Sequence, residues 1–122
     1  MGNDLPDFIT PSPAIQEAAG GVGRYSGNST SYQTVKSWTV ATGKRGELKE
    51  ISLASTTLSH TAWKVTIGSA TWLNNQVLDA ILTIPFIDLL LVAGTVVKVE
   101  VKSDDVANTI NASVSIVGKE IG

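Results

Sequence analysis

The chain has 122 residues, 43% of them hydrophobic and 16% charged, with no cysteine, one histidine and a formal net charge of −2. That length can bury one core without staples, and the missing cysteines exclude disulfide frameworks, thiolate nucleophiles and cysteine-bound zinc or iron–sulfur sites. Nine basic against eleven acidic residues leave no excess to hold a phosphate backbone by counterion release, which argues against nucleic acid as a partner.

The N-terminal stretch differs from the rest. Three of the four prolines (Pro6, Pro11, Pro13) and five of the eleven glycines (Gly2, Gly20, Gly21, Gly23, Gly27) fall in the first 27 residues, followed by the polar run Ser26 to Ser31. Proline removes ladder donors, and the Gly/Ser/Asn run offers little apolar surface against its ordering entropy. The division predicted is an extended arm over 1–31 and a folded body over 32–122. Within the arm, Ser12-Pro13-Ala14-Ile15-Gln16-Glu17-Ala18-Ala19-Gly20 reads as a short helix over 13–19, with Ser12 as N-cap, Pro13 at the first helical position and Gly20 as the stop. Two turns are too short to stand alone in water, so such a helix would form only when docked.

The first fifteen residues carry Asp4 and Asp7, no Lys or Arg and no continuous apolar run, which does not fit a secretory signal. The longest apolar stretch, Ile84 to Ala93, is interrupted by Pro85 and Asp88 and is too short to span a bilayer. No export address and no membrane partner are expected.

From Tyr32 onward the signal is period two. Trp63, Val65 and Ile67 alternate with Ala62, Lys64 and Thr66; Val97, Val99 and Val101 with Lys98, Glu100 and Lys102; Ile110, Ala112, Val114 and Ile116 with Asn111, Ser113 and Ser115. Weaker strands are predicted at Val35–Val40, Glu47–Ala54, Ala70–Leu73, Val77–Ile84 and Leu89–Leu91, and Trp72–Ile81 could instead hold a short helix. Thr42 to Gly46, Gly68-Ser69, Ala93-Gly94 and Ser103 to Asn108 supply the turns. The fold class expected is all-β, an antiparallel β-sandwich of seven or eight short strands, with jelly-roll or immunoglobulin-like connectivity.

Chemistry-bearing groups are few. His60 is the sole imidazole, in a loop with Thr57, Ser59 and Thr61, and there is no Gly-x-Ser-x-Gly elbow. Asp104-Asp105 is the only adjacent carboxylate pair; with Asn108 it makes part of a calcium ligand set. Gly20-Gly21-Val22-Gly23 lacks dinucleotide spacing, and Gly43-Lys44 is followed by Arg45 rather than the Ser or Thr of a P-loop. The reading is a protein that is not an enzyme, with no catalytic residue, no cofactor and no metal. Trp38 and Trp63 share parity with Val40 and with Val65 and Ile67, which assigns them to the core, whereas Trp72 is the candidate for an exposed platform.

An arm of 31 residues can extend roughly 100 Å, and a body of 91 residues measures about 30 Å across. Leu5, Phe8, Ile9, Ile15 and Val22 are spaced along it as apolar anchors for a partner, a sister subunit or another protein, the bland alternative being a loose tail.

The runs Trp38-Thr39-Val40-Ala41-Thr42-Gly43-Lys44-Arg45-Gly46-Glu47-Leu48-Lys49-Glu50-Ile51, Trp63-Lys64-Val65-Thr66-Ile67-Gly68 and Leu91-Val92-Ala93-Gly94-Thr95-Val96-Val97-Lys98-Val99-Glu100-Val101-Lys102-Ser103 resemble small β-sandwich proteins of tailed-phage virions. The resemblance covers most of the body and none of the arm. It implies a capsid decoration (cement) protein, often a trimer, that binds the major capsid protein, sister subunits or both at the capsid surface. The alternative is a carbohydrate- or receptor-binding sandwich, as in a head fibre or cell-surface module, with Trp72 as its platform.

Overall fold

The alternating segments become strands with one buried row each. In a computed structural model, which describes residues 15–122, the elements are β1 (Gln16–Gly27), β2 (Gln33–Thr39), β3 (Arg45–Ser55), β4 (Thr61–Ile67), β5 (Ala70–Val77), β6 (Leu82–Leu91), β7 (Val96–Ser103) and β8 (Ile110–Ile121), with one 3-10 turn at Leu58–His60. Two four-stranded sheets form, in the orders β1-β8-β3-β6 and β2-β7-β4-β5, and every pairing is antiparallel. The chain is an antiparallel β-sandwich. Its first and last strands pair, then β2 with β7, β3 with β6 and β4 with β5. This is one long hairpin folded over on itself, the jelly-roll connectivity, and it settles the choice against the immunoglobulin-like order.

The inner rows of both sheets meet in one core. Leu48, Ile51, Leu53, Trp63, Val65, Val97, Val99, Val101 and Ile110 are fully buried. Trp38 and Trp63 are core residues, as their parity predicts. The Trp38 indole lies against Gly46 of β3 and Gly118 of β8 and donates from Nε1 to Glu120 Oε2 at 2.7 Å. Glycines thus provide the slot in which the largest side chain of β2 bridges the two sheets.

The N-terminal expectation needs correction. Residues 16–27 are not an arm and 16–19 are not helical: they form β1, a twelve-residue edge strand in unbroken register with β8 from Gln16↔Ile121 to Gly27↔Ile110. Pro6, Pro11 and Pro13 all precede this strand, so none removes a ladder donor from it. A two-turn helix has nothing to balance a full ladder along β8. The glycines that suggested a linker instead allow close approach. Gly20 adopts φ +92°, and an added Cβ at Gly23 would overlap the Val35 carbonyl of β2. The sandwich therefore begins at the latest at Gln16, and Leu5, Phe8, Ile9 and the helix start at 13–14 lie outside the described residues.

Two smaller corrections concern the segment after β4. Trp72–Ile81 holds no helix, and the strand expected over Val77–Ile84 is divided by residues 78–81, which connect β5 to β6.

Candidate functional site

Two regions gather the residues singled out in the sequence. The first is a loop cluster that local spacing could not foresee. The 3-10 turn after β3 presents His60, and the β7–β8 connection presents Asp104 and Asn108. Asp104 Oδ2 stands 2.8 Å from His60 Nδ1, and Asp104 Oδ1 accepts from Asn108 Nδ2 at 2.9 Å. A carboxylate beside Nδ1 places the ring proton there. The Asp104 amide also donates to the His60 carbonyl at 3.1 Å, so backbone and side chain tie the two loops together. Hydrogen bonds from His60, and then from Asn108, hold the Asp104 carboxyl below the usual carboxylate range.

Chemically, this is the orienting half of an acid–base pair on the surface, with the ring about half exposed. Both carboxylate oxygens of Asp104 accept within the cluster, from His60 and Asn108, and Asp105 Oδ1 accepts from the amide of Ala107 at 2.8 Å. Among the described residues no group of three or more His, Asp or Glu side chains could hold a metal ion. Ser103, buried beneath the loop, fixes it: its hydroxyl stands 2.6 Å from the Asn108 carbonyl and 2.8 Å from that of Asp105, with one proton to share between them, and accepts from the Asp105 amide at 3.3 Å. The cluster acts first as a clasp between loops.

The second region is the side of the sandwich where edge strands β5 and β6 face each other. Trp72 is 50% exposed there and meets Phe86 edge to face, with ring centroids 5.2 Å apart at 78°. Val77, Ile81, Leu90 and Val92 are exposed along or beside the same strands, and Ile87 is fully exposed. Both strands carry an irregularity. Asn75 (φ 52°) and Asp88 (φ 45°), the non-glycine residues with positive φ among those described, lie where the registers with β4 and β3 shift. Asn and Asp tolerate this left-handed conformation better than other side chains. The β6 bulge thrusts Ile87 outward while Asp88 is anchored by an ion pair to Lys49 of β3. That partner holds the Asp88 carboxyl below its ordinary range.

At the end of this edge a trough of ≈ 380 Å³ is lined by the β4–β5 turn, Trp72, Leu89–Val92 and Thr95. Its walls are largely aliphatic and aromatic, and its lining residues with polar side-chain groups are Ser69 and Thr95, with hydroxyls, and Trp72, with its indole N–H. The amides of Asn74, Asn75 and Gln76 follow Trp72 along β5 but lie outside this lining, and the trough itself matches an apolar partner better than a sugar ring. A more polar trough lies on the outer β1–β8 face, where Arg24, Tyr25, Ser26, Thr56, Asn111 and Ser113 surround ≈ 460 Å³.

The arm anchors part company. Val22 lies in β1 opposite Ser115, 61% exposed, and Ile15 is 64% exposed just before β1, its carbonyl accepting from the Gly122 amide. Sequence reasoning did not single out Ile87 and Leu90 as surface residues, because the apolar stretch Ile84 to Ala93 shows no alternation that would place them outside; the Asp88 that interrupts it was the available signal of a bulge.

The site and strand order define the class of protein as a jelly-roll sandwich with an uncovered apolar edge. No protein family, curated protein or solved structure matches the chain.

Proposed function

We propose that this protein works by binding rather than by turnover, as a virion structural subunit of the capsid-decoration (cement) type. The observation that carries the reading is the apolar β5–β6 edge: a sandwich whose edge strands expose Trp72, Ile87 and Leu90 is built to be covered. The resemblance of its strand and turn motifs to small tailed-phage sandwich proteins supplies the class of assembly. Its partners in this reading are the major capsid protein and sister subunits, and residues 1–14, with Leu5, Phe8 and Ile9, are the strap.

The test is co-sedimentation of the purified full chain with empty expanded shells assembled from the major capsid protein of a tailed phage that carries this chain. Saturable binding that is weakened at least tenfold by the combined substitutions Leu5→Ser, Phe8→Ser and Ile9→Ser supports the reading. Absence of the chain from sedimented shells at micromolar concentration refutes it. In the glycan-binding alternative, glycan-array binding would be abolished by Trp72→Ala; the half exposure of Trp72 favours that alternative, and the apolar lining of its trough disfavours it.

A further inference from the structure

The β5–β6 edge has a shape, an extent and a charge that together specify an occupant. Trp72, Val77, Ile81, Ile87, Leu90 and Val92 are each between 48% and 100% exposed. At on the order of 100 Å² of apolar surface apiece they offer about 600 Å² in sum, interspersed on β5 with the exposed Asn74, Asn75 and Gln76, against the ~800 Å² per partner, polar and apolar together, of a standard interface.

Charge points the same way. From Ser69 to Val92 the only ionisable side chains are Asp79 and Asp88, and Asp88 is neutralised within its own chain by Lys49. Lysine is a common guard of an edge strand in a monomer, and neither β5 nor β6 has one. Two such edges can therefore face each other with Asp79 as the one carboxylate on each that no ion pair among the described residues engages.

We infer that the β5–β6 edge is a self-association surface, occupied by a second copy of this chain. The contact is made by side chains more than by a continuous ladder. The bulges at Asn75 and Asp88 interrupt both edges at mid-strand, and the β6 bulge turns Ile87 into a knob that only a facing apolar surface can cover. A short peptide covers this poorly. Leu5, Phe8 and Ile9 are three anchors against six exposed side chains spread along two strands, whereas a second edge brings six of its own. The inference deepens the assembly part of the proposed function and rests on it only in taking the edge as covered in the working state.

The experiment is the molar mass of the full-length protein by sedimentation equilibrium from 1 to 100 µM, roughly the range in which an interface of this size associates. The wild-type chain should show a mass of two or more copies, and Ile87→Asp and Leu90→Asp should each return it to 12.8 kDa with the far-UV circular dichroism of the parent. Val106→Asp serves as the control, an equally exposed apolar residue on the β7–β8 connection, and should leave the mass unchanged. A wild-type monomer at 100 µM overturns the inference. So does an oligomer that survives both edge variants, or one lost in Phe8→Asp/Ile9→Asp but not in Ile87→Asp, which would give the interface to the N-terminal segment. Shell binding is scored separately: a self-associating chain that ignores shells removes the decoration reading and leaves this one standing, and a shell-binding monomer does the reverse.

Discussion

Alanine at Gly118 tests the slot that holds the two sheets together around Trp38. Its methyl group would stand 2.8 Å from Cζ3 and 2.9 Å from Cη2 of the Trp38 ring, and 2.7 Å from the carbonyl oxygen of Glu47. Neither neighbour yields easily. The carbonyl belongs to β3, paired on both sides with β6 and β8, and the indole is tied by its 2.7 Å bond to Glu120. Overfilling a packed site of this kind costs about 1–3 kcal/mol. With an unfolding entropy near 2.1 cal/mol/K per residue, a chain of this length should lose about 4–12 °C in Tm. Scanning calorimetry at neutral pH reads this directly. Trp38→Phe removes both ring atoms that the new methyl would strike, so the double variant should be more stable than the sum of the single losses by about 0.5 kcal/mol or more. Strict additivity, or a Gly118→Ala protein melting within about 1 °C of the parent, would refute the slot.

Two further outcomes follow from other contacts. The carboxyls of Asp104, Asp88 and Glu17 are each held below their ordinary values by a partner, His60, Lys49 and Lys44 respectively. A carboxyl depressed in the folded state contributes stability that is fully present above its unfolded value near pH 4 and is lost as pH falls through the lower folded value. Tm should therefore drop on acidification below about pH 4, and Asp104→Asn should make that drop shallower; an unchanged acid profile in the variant would show the clasp to be inert. Gly23→Ala tests whether β1 belongs to the sandwich. Its Cβ would overlap the Val35 carbonyl, so β1 should detach or the fold lose about 1–3 kcal/mol; proteolysis between β1 and β2 should accelerate, and a parent-like cleavage pattern would contradict the strand.

Most of the sandwich was legible because burial on one face writes itself as alternation. Val97, Val99 and Val101, or Ile110 through Ile116, can satisfy both water and core only as strands. β1 was not legible, since its residues are small and its inner row is shallow: Gly23 and Gly27 leave no apolar period to read, and the strand is specified by what lies beside it, β8 and the Val35 carbonyl. The clasp was half legible. His60 and the Asp104 loop were each conspicuous, but their meeting depends on strand order, which neither local spacing nor composition encodes. On the β5–β6 edge, Trp72 was singled out as the tryptophan whose exposure was open, and it is half exposed, whereas Ile87 sits in an apolar run and is turned outward only by a bulge.

The nested pairing of the strands also fixes how much chain entropy each step of closure costs. The tip, Ile67 with Ala70, closes over two residues; Leu53 with Leu82, Thr39 with Val96 and Gly27 with Ile110 enclose successively longer loops around it. Closure entropy grows only as the logarithm of loop length, so the outermost pair costs about 1 kcal/mol more than the Leu53–Leu82 pair even when formed alone. Once the inner pairs stand, each outer pair has only two short connections left to order. The tightest hairpin turn among the described residues, Gly68-Ser69, therefore adjoins β5, the most exposed of the described strands, and the cheapest contact to form leaves bare the surface most in need of cover.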